Sequence, residues 1–422
     1  MQYSQMSAEA LKEEPAKLLK DFEALKAMNL KLDMSRGKPG ADQLDLSMDL
    51  LKSVTTKEDC IAENGFDCRN YGVLDGMPEC KALFAELLSV PTQNIIIGGT
   101  SSLNLMFDYI SQCMVKGVAG EKPWLMQDHV KCFCNVPGYD RHFSIAEYFG
   151  IEMISVPMTA EGVDIDKIRE LVKDESVKGM FCVPKYSNPS GVTYSDANVR
   201  AIAALQPAAK DFRVIWDNAY IVHDLTDTPD TLLNIFDAAK EFGTEDHFVE
   251  FTSTSKISFP GAGVSAIAAS DNNIAEIKKR LNNETISYDK LNQLRHVRYF
   301  KNVDGIKAHM AKHAALIAPK FEAVLDGLEQ EFSENKLATW TKPNGGYFIS
   351  LDTVSCSARR VGELCKELGV TLTTVGATHP YGKDPDDKNI RIAPSLPPVA
   401  ELQKAVEVLC LCIKLATLEN LV

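Results

Sequence analysis

Phe251-Thr-Ser-Thr-Ser-Lys256-Ile-Ser-Phe-Pro-Gly-Ala-Gly-Val264 sets one lysine between an apolar run and a glycine-rich turn. The run before it, His247 to Phe251, carries Val and Phe side chains that suit a buried strand, so Lys256 is delivered to the interior at a strand end. Partly apolar surroundings favour the neutral amine, and a neutral amine condenses with an aldehyde. Gly261 and Gly263 let backbone pass close to something bulky. Taken alone, the stretch fits a surface lysine at a loop start equally well. Other strand ends decide between the two.

Asn94-Ile-Ile-Ile-Gly98-Gly99-Thr100-Ser101-Ser102-Leu103 reads as a buried strand, a glycine turn and a helix start. Unpaired N–H groups and hydroxyls at such a start are suited to a phosphate. Lys178 to Val183 is a strand ending in Pro184-Lys-Tyr-Ser-Asn188-Pro189-Ser190-Gly191, and Phe212 to Trp216 ends in Asp217-Asn-Ala-Tyr220. A β-type run near Trp124 to Met126 leads to Asn135-Val-Pro-Gly-Tyr139-Asp-Arg-His142, where Pro-Gly pushes an aromatic ring toward a cleft. Helical stretches such as Ser195 to Leu205 separate the strands, as in a mostly parallel α/β sheet, whose ligands bind beyond the carboxyl ends of the strands.

The 422 residues allow a large domain with a smaller companion. A net charge of −13 argues against nucleic acid and anionic membrane surfaces, and no apolar run is long enough to span a bilayer. Met1 to Ala10 has neither the basic lead nor the apolar core of a secretory signal, and eleven scattered cysteines fit reduced thiols in a cytoplasm. Cys132-Phe-Cys134 and Cys410-Leu-Cys412 have no matching second pair, so no metal is expected.

Ser7 to Met28 reads as an amphipathic helix that Pro15 breaks or restarts, followed by the turn-rich Arg36-Gly37-Lys-Pro39-Gly40. Beyond Asp304 come a long helix, short strands near Gly345 to Leu351, Val370 to Thr374 and Asn389 to Ser395, and a closing helix from Val399. The expected division is 1–48 as an arm and part of the small domain, 49–304 as the large domain and 305–422 as a smaller α+β domain.

An aldehyde cofactor with a phosphate tail and a basic pyridine ring would use each cluster differently. Lys256 would hold the aldehyde, Asp217 would keep the ring nitrogen protonated, Asn188 and Tyr220 would donate to the ring oxygen, and Tyr139 would stack on the ring. Gly99, Thr100, Ser101, Ser253 and Ser255 would surround the phosphate, and Arg391 would clamp a substrate carboxylate. Singly, Asp217 also suits a helix cap, Asn188 a turn and Arg391 a surface ion pair.

Together, Ser-Asn-Pro-Ser-Gly at 187–191, Asp-Asn-Ala-Tyr at 217–220 and Ser-Thr-Ser-Lys at 253–256 resemble the fold-type I, pyridoxal-phosphate-dependent class I aminotransferases, in particular the bacterial aspartate aminotransferase subgroup Ic. The resemblance runs from Arg36-Gly37 to Arg391 and implies a large domain with a mostly parallel seven-stranded sheet flanked by helices. It implies that Lys256 is the Schiff-base lysine, that His142 supports Asp217, and that Gly37 lies with Arg391 at the substrate carboxylate. Tyr71 matches a tyrosine that reaches the phosphate of a neighbouring subunit, which implies a homodimer with shared sites. The implied activity is transfer of an amino group from an amino acid, L-aspartate first, to 2-oxoglutarate by ping-pong chemistry; a lyase or decarboxylase on the same scaffold is the alternative, and a regulatory domain a remote one. One departure stands out. Relatives usually carry a phosphate-pairing arginine seven or eight residues after the lysine, where this chain has Gly263 and Val264, so the phosphate either takes its countercharge from elsewhere, with Arg295, Arg298 and Lys301 as downstream candidates, or leans more on backbone and hydroxyl donors.

Overall fold

Strands buried on both faces form the centre of the molecule, and their residues alternate between two cores. The computed structural model describes residues 8–420. Its main sheet contains β1 (Ile95–Ile97), β2 (Lys131–Val136), β3 (Glu152–Thr159), β4 (Gly162–Val163), β5 (Val177–Cys182), β6 (Arg213–Asp217), β7 (Phe248–Ser253) and β8 (Ser265–Ala269), in the spatial order β1-β8-β7-β6-β5-β2-β3-β4. From β7 to β3 all neighbours are parallel, whereas β8 runs antiparallel to both β7 and β1. The sheet therefore has eight strands against the seven expected, the extra one being the two-residue β4 hairpinned onto β3.

Val214, Trp216 and Phe248 point into one core, and Ile215, Val249 and Phe251 into the other. That alternation, with helices on each side, explains the near-continuous apolar sequence of these strands. Helices Pro78–Leu88 and Asp196–Ala203 contribute to the first core, and Ser102–Lys116 to the second.

A third core gathers the two ends of the chain. Helices Ala8–Ala27, Val303–Phe332, Ala358–Glu367 and Val399–Glu419 pack around an antiparallel sheet of Ala338–Trp340, Ile349–Thr353 and Asn389–Ile392. Leu32–Asp33 pairs in parallel with Val370–Thr371, and Ala393 N–H donates to the Met34 carbonyl at 3.0 Å. Residues near Gly37 are thereby tied to the strand that bears Arg391.

Two local expectations change. Pro15 lies inside the continuous helix Ala8–Ala27 and does not break it. Trp124–Met126 is a 3-10 turn after Pro123, and the strand begins only at Lys131.

Candidate active site

The carboxyl ends of β1, β2, β5, β6 and β7 converge on one cleft. β7 ends at Ser253, and Thr254–Lys256 makes a single 3-10 turn. Thr254 N–H donates to the Val264 carbonyl at 2.8 Å, and Val264 N–H donates to Thr254 Oγ1 at 2.9 Å, closing the glycine-rich loop. Lys256 Nζ donates to the Tyr220 hydroxyl at 3.0 Å and lies 4.2 Å from that ring's centre. Desolvation lowers the Lys256 pKa; Tyr139 and Asp217 oppose that shift, and Arg391 adds to it. Burial likewise raises the Tyr220 pKa, keeping that phenol neutral.

Asp217 closes β6 at 3% exposure. Its Oδ2 accepts from His142 Nε2 at 3.1 Å, and His142 is stacked on Phe181 with ring centres 4.9 Å apart. Asp217 Oδ1 is buried without a hydrogen-bond partner. Leaving a buried carboxylate oxygen unpaired costs on the order of 1–3 kcal/mol or more, so the site calls for a donor from a ligand, best a cationic ring N–H. Tyr139 sits edge-on to His142 at 5.0 Å, and burial pushes its phenol up to about 12. These residues fit a protonated pyridine ring.

Arg391 approaches from the three-stranded sheet. Its Nη1 donates to Asn188 Oδ1 at 3.3 Å and to Asp140 Oδ1 at 2.8 Å, its Nε donates to Thr373 Oγ1 at 3.2 Å, and Phe348 lies 5.0 Å beneath the guanidinium. A Cβ on Gly37 would fall 2.2 Å from the Phe348 ring, so glycine permits this close approach. Asn188 keeps its Nδ2 available to donate because its Oδ1 faces the arginine.

Around the anion loop the donors are hydroxyls. Ser101 Oγ caps helix Ser102–Lys116 by accepting from Leu103 N–H at 3.2 Å, Ser253 Oγ donates to Ser255 Oγ at 3.0 Å, and Ser255 Oγ donates to the Thr100 carbonyl at 2.9 Å. Gly99 O accepts from Ser265 N–H and Oγ, each at 2.8 Å. The helix N-terminus adds partial positive charge. A Cβ at Gly263 would come within 2.8 Å of the Thr100 carbonyl, so backbone leaves no room for a side chain at that position. Of the downstream substitutes, Arg298 pairs with Asp59 at 3.5 Å and the Ile61 carbonyl at 3.1 Å, and Arg295 Nε is buried without a partner. Tyr71 is 77% exposed and does not pack into this cluster.

Sequence reading passed over a set of buried histidines that hold the lysine turn. His296 Nε2 lies 3.0 Å from Thr254 Oγ1 and 2.8 Å from Ser258 Oγ, His309 Nε2 lies 3.0 Å from the Ile257 carbonyl, and His313 Nε2 lies 3.0 Å from His309 Nε2. Tyr347 donates to the Lys256 carbonyl at 3.3 Å. Burial lowers these imidazoles, His296 and His313 to about 4, so they brace the turn without charge. Only the i,i+4 spacing of His309 and His313 was available as a signal. Among the described residues, no group of three His, Cys, Asp or Glu side chains could hold a metal ion, and no helix is long and apolar enough to cross a membrane.

The chain as a whole has close counterparts in sequence and fold. Residues 6–422 match the family model described as aspartate amino-transferase. An aspartate aminotransferase of Corynebacterium glutamicum is 48% identical over 400 residues, covering 94% of this chain and 92% of the relative. The crystal structure of an aspartate transaminase from the same species superposes with a TM-score of 0.97 at 45% identity, over 100% of both chains. The α-aminoadipate aminotransferase LysN of Thermus thermophilus, at 18% identity, TM-score 0.75 and 96% coverage of each chain, shares the fold. The chain belongs to the aspartate amino-transferase family.

Proposed function

We propose that this chain, an aminotransferase by family, uses pyridoxal 5′-phosphate to move the amino group of L-aspartate to 2-oxoglutarate in a ping-pong sequence. The observation that carries the reading is a buried carboxylate oxygen of Asp217 that lacks a donor, at the site where the Lys256 amine, its pKa lowered by desolvation, meets the Tyr220 hydroxyl. When bound, the cofactor supplies an aldehyde that joins amines and a ring that accepts the electron pair released at the substrate α-carbon.

The protein's own groups then have separate tasks. Lys256, its pKa lowered by desolvation, would hold the aldehyde, and its amine would carry the proton at the substrate α-carbon. Asp217, held by His142, would keep the ring nitrogen protonated, while Asn188 Nδ2 and the Tyr220 hydroxyl would donate to the ring oxygen. Tyr139 would cover the ring face, and Gly99, Thr100, Ser101, Ser253 and Ser255 would bind the phosphate. Arg391, backed by Phe348 and Gly37, takes the α-carboxylate.

The exposed Tyr71 is assigned to the phosphate of a second copy, in a homodimer with shared sites. One core shared by the two ends of the chain supports grouping 1–48 with the small domain 305–422, apart from 49–304, and the eleven free cysteines support a cytoplasmic setting. Mixing the cofactor-loaded enzyme with L-aspartate is expected to remove the aldehyde absorbance and yield oxaloacetate, with recovery on adding 2-oxoglutarate. Persistence of that absorbance with every amino acid, or release of ammonia without an acceptor, would contradict the proposal.

A further inference from the structure

We propose that Asp140 is an internal counter-anion for Arg391, occupying the guanidinium until a substrate carboxylate displaces it, and so sets affinity for every amino and oxo acid the enzyme accepts. The inference rests on Arg391 being the carboxylate anchor.

Asp140 Oδ1 accepts from Arg391 Nη1 at 2.8 Å, although 251 positions separate the two residues. The arginine is 8% exposed and held on three further sides by Thr373, Asn188 and Phe348, whereas the aspartate is 35% exposed. The two partners thus differ in freedom: Arg391 is fixed, and Asp140 has solvent to swing into. A buried cation without a counter-ion is costly, which gives the pair a role in the ligand-free enzyme. A substrate α-carboxylate takes the guanidinium best through two parallel N–H···O bonds, and Asp140 already holds one of its two terminal nitrogens. Two carboxylates on one guanidinium repel, so binding proceeds by exchange. Asp140 is also the residue next to Tyr139, which puts the displaced side chain beside the ring-covering aromatic.

An ordinary alternative exists, because Asp140 opens helix Asp140–Tyr148 and an acidic residue there favours the helix dipole. Calorimetric titration of the holoenzyme with succinate, which has no amino or oxo group, separates the two. Asp140→Asn is expected to bind succinate about tenfold more tightly, ~1.4 kcal/mol, and to lower KM for donor and acceptor together. Asp140→Ser repeats the test should the asparagine variant fold poorly. Equal or weaker binding in the variants overturns the proposal and leaves Asp140 as a helix-start residue. Arg391→Gln is expected to abolish succinate binding; undiminished binding would overturn both the anchor assignment and the proposal, and that result differs from a failure of Asp140 alone.

Discussion

The two ends of the cleft handle charge in opposite ways. At the Lys256 end, desolvation depresses the amine, Tyr220 stays a neutral phenol, and the turn is braced by imidazoles that burial keeps uncharged. At the Arg391 end a permanent cation is retained and compensated by Asp140 at 2.8 Å. The difference follows from the chemistry each end must support. A nucleophilic amine has to be able to lose its proton, so its wall is apolar and sparing with charge. A carboxylate anchor has to stay charged at every pH, which arginine does, and must exchange one anion for another.

Substitutions that touch one end should spare the other. Asp217→Ala removes the single carboxylate facing the proposed ring nitrogen and is expected to cut turnover by about 10³-fold, the scale for losing a preorganised electrostatic partner. Succinate affinity, which belongs to the Arg391 end, is expected to stay within about twofold. A parallel loss of both in turnover assays and calorimetry would mean that the ends are not separable.

A smaller effect distinguishes the histidine brace. His296 faces Thr254, Ser258 and the Asn292 carbonyl, with the charges of Arg295 and Asp289 nearby, and its pKa is lowered from 6.5 to about 4 by burial. Between those values the unfolded chain binds a proton that the folded chain does not. Stability is therefore fully present above pH 6.5 and is lost as pH falls toward 4, by at most about 1.4 kcal/mol per pH unit for one imidazole. His296→Gln, which keeps a hydrogen-bonding side chain, is expected to shallow the acid limb of a denaturant-midpoint profile measured against pH. An unchanged slope would show that His296 is not held neutral.

Strand-end residues were legible because a parallel sheet sends its carboxyl ends to one edge, so polar clusters after buried runs report a shared site. Lys256, Asp217, Asn188 and the Gly99 turn all follow that logic. β3 escaped notice because Pro157 and its exposed positions disguise it, and β8 because Ser-Ala-Ile-Ala-Ala favours a helix as readily as a strand. Asp140 and the histidine brace were illegible for another reason. Their partners lie far away in sequence, Asp140 and Arg391 by 251 positions and Thr254 and His296 by 42, and single-chain periodicity carries no such pairing. Gly263 belongs to the same class, since its need for glycine arises from the Thr100 carbonyl across the loop.

Borohydride reduction of the loaded enzyme, followed by peptide mapping, tests the central claim most directly. The account predicts one phosphopyridoxyl group, on the peptide carrying Lys256, and none on Lys256→Ala treated in the same way. Label on another lysine, or equal labelling of the alanine variant, would contradict it.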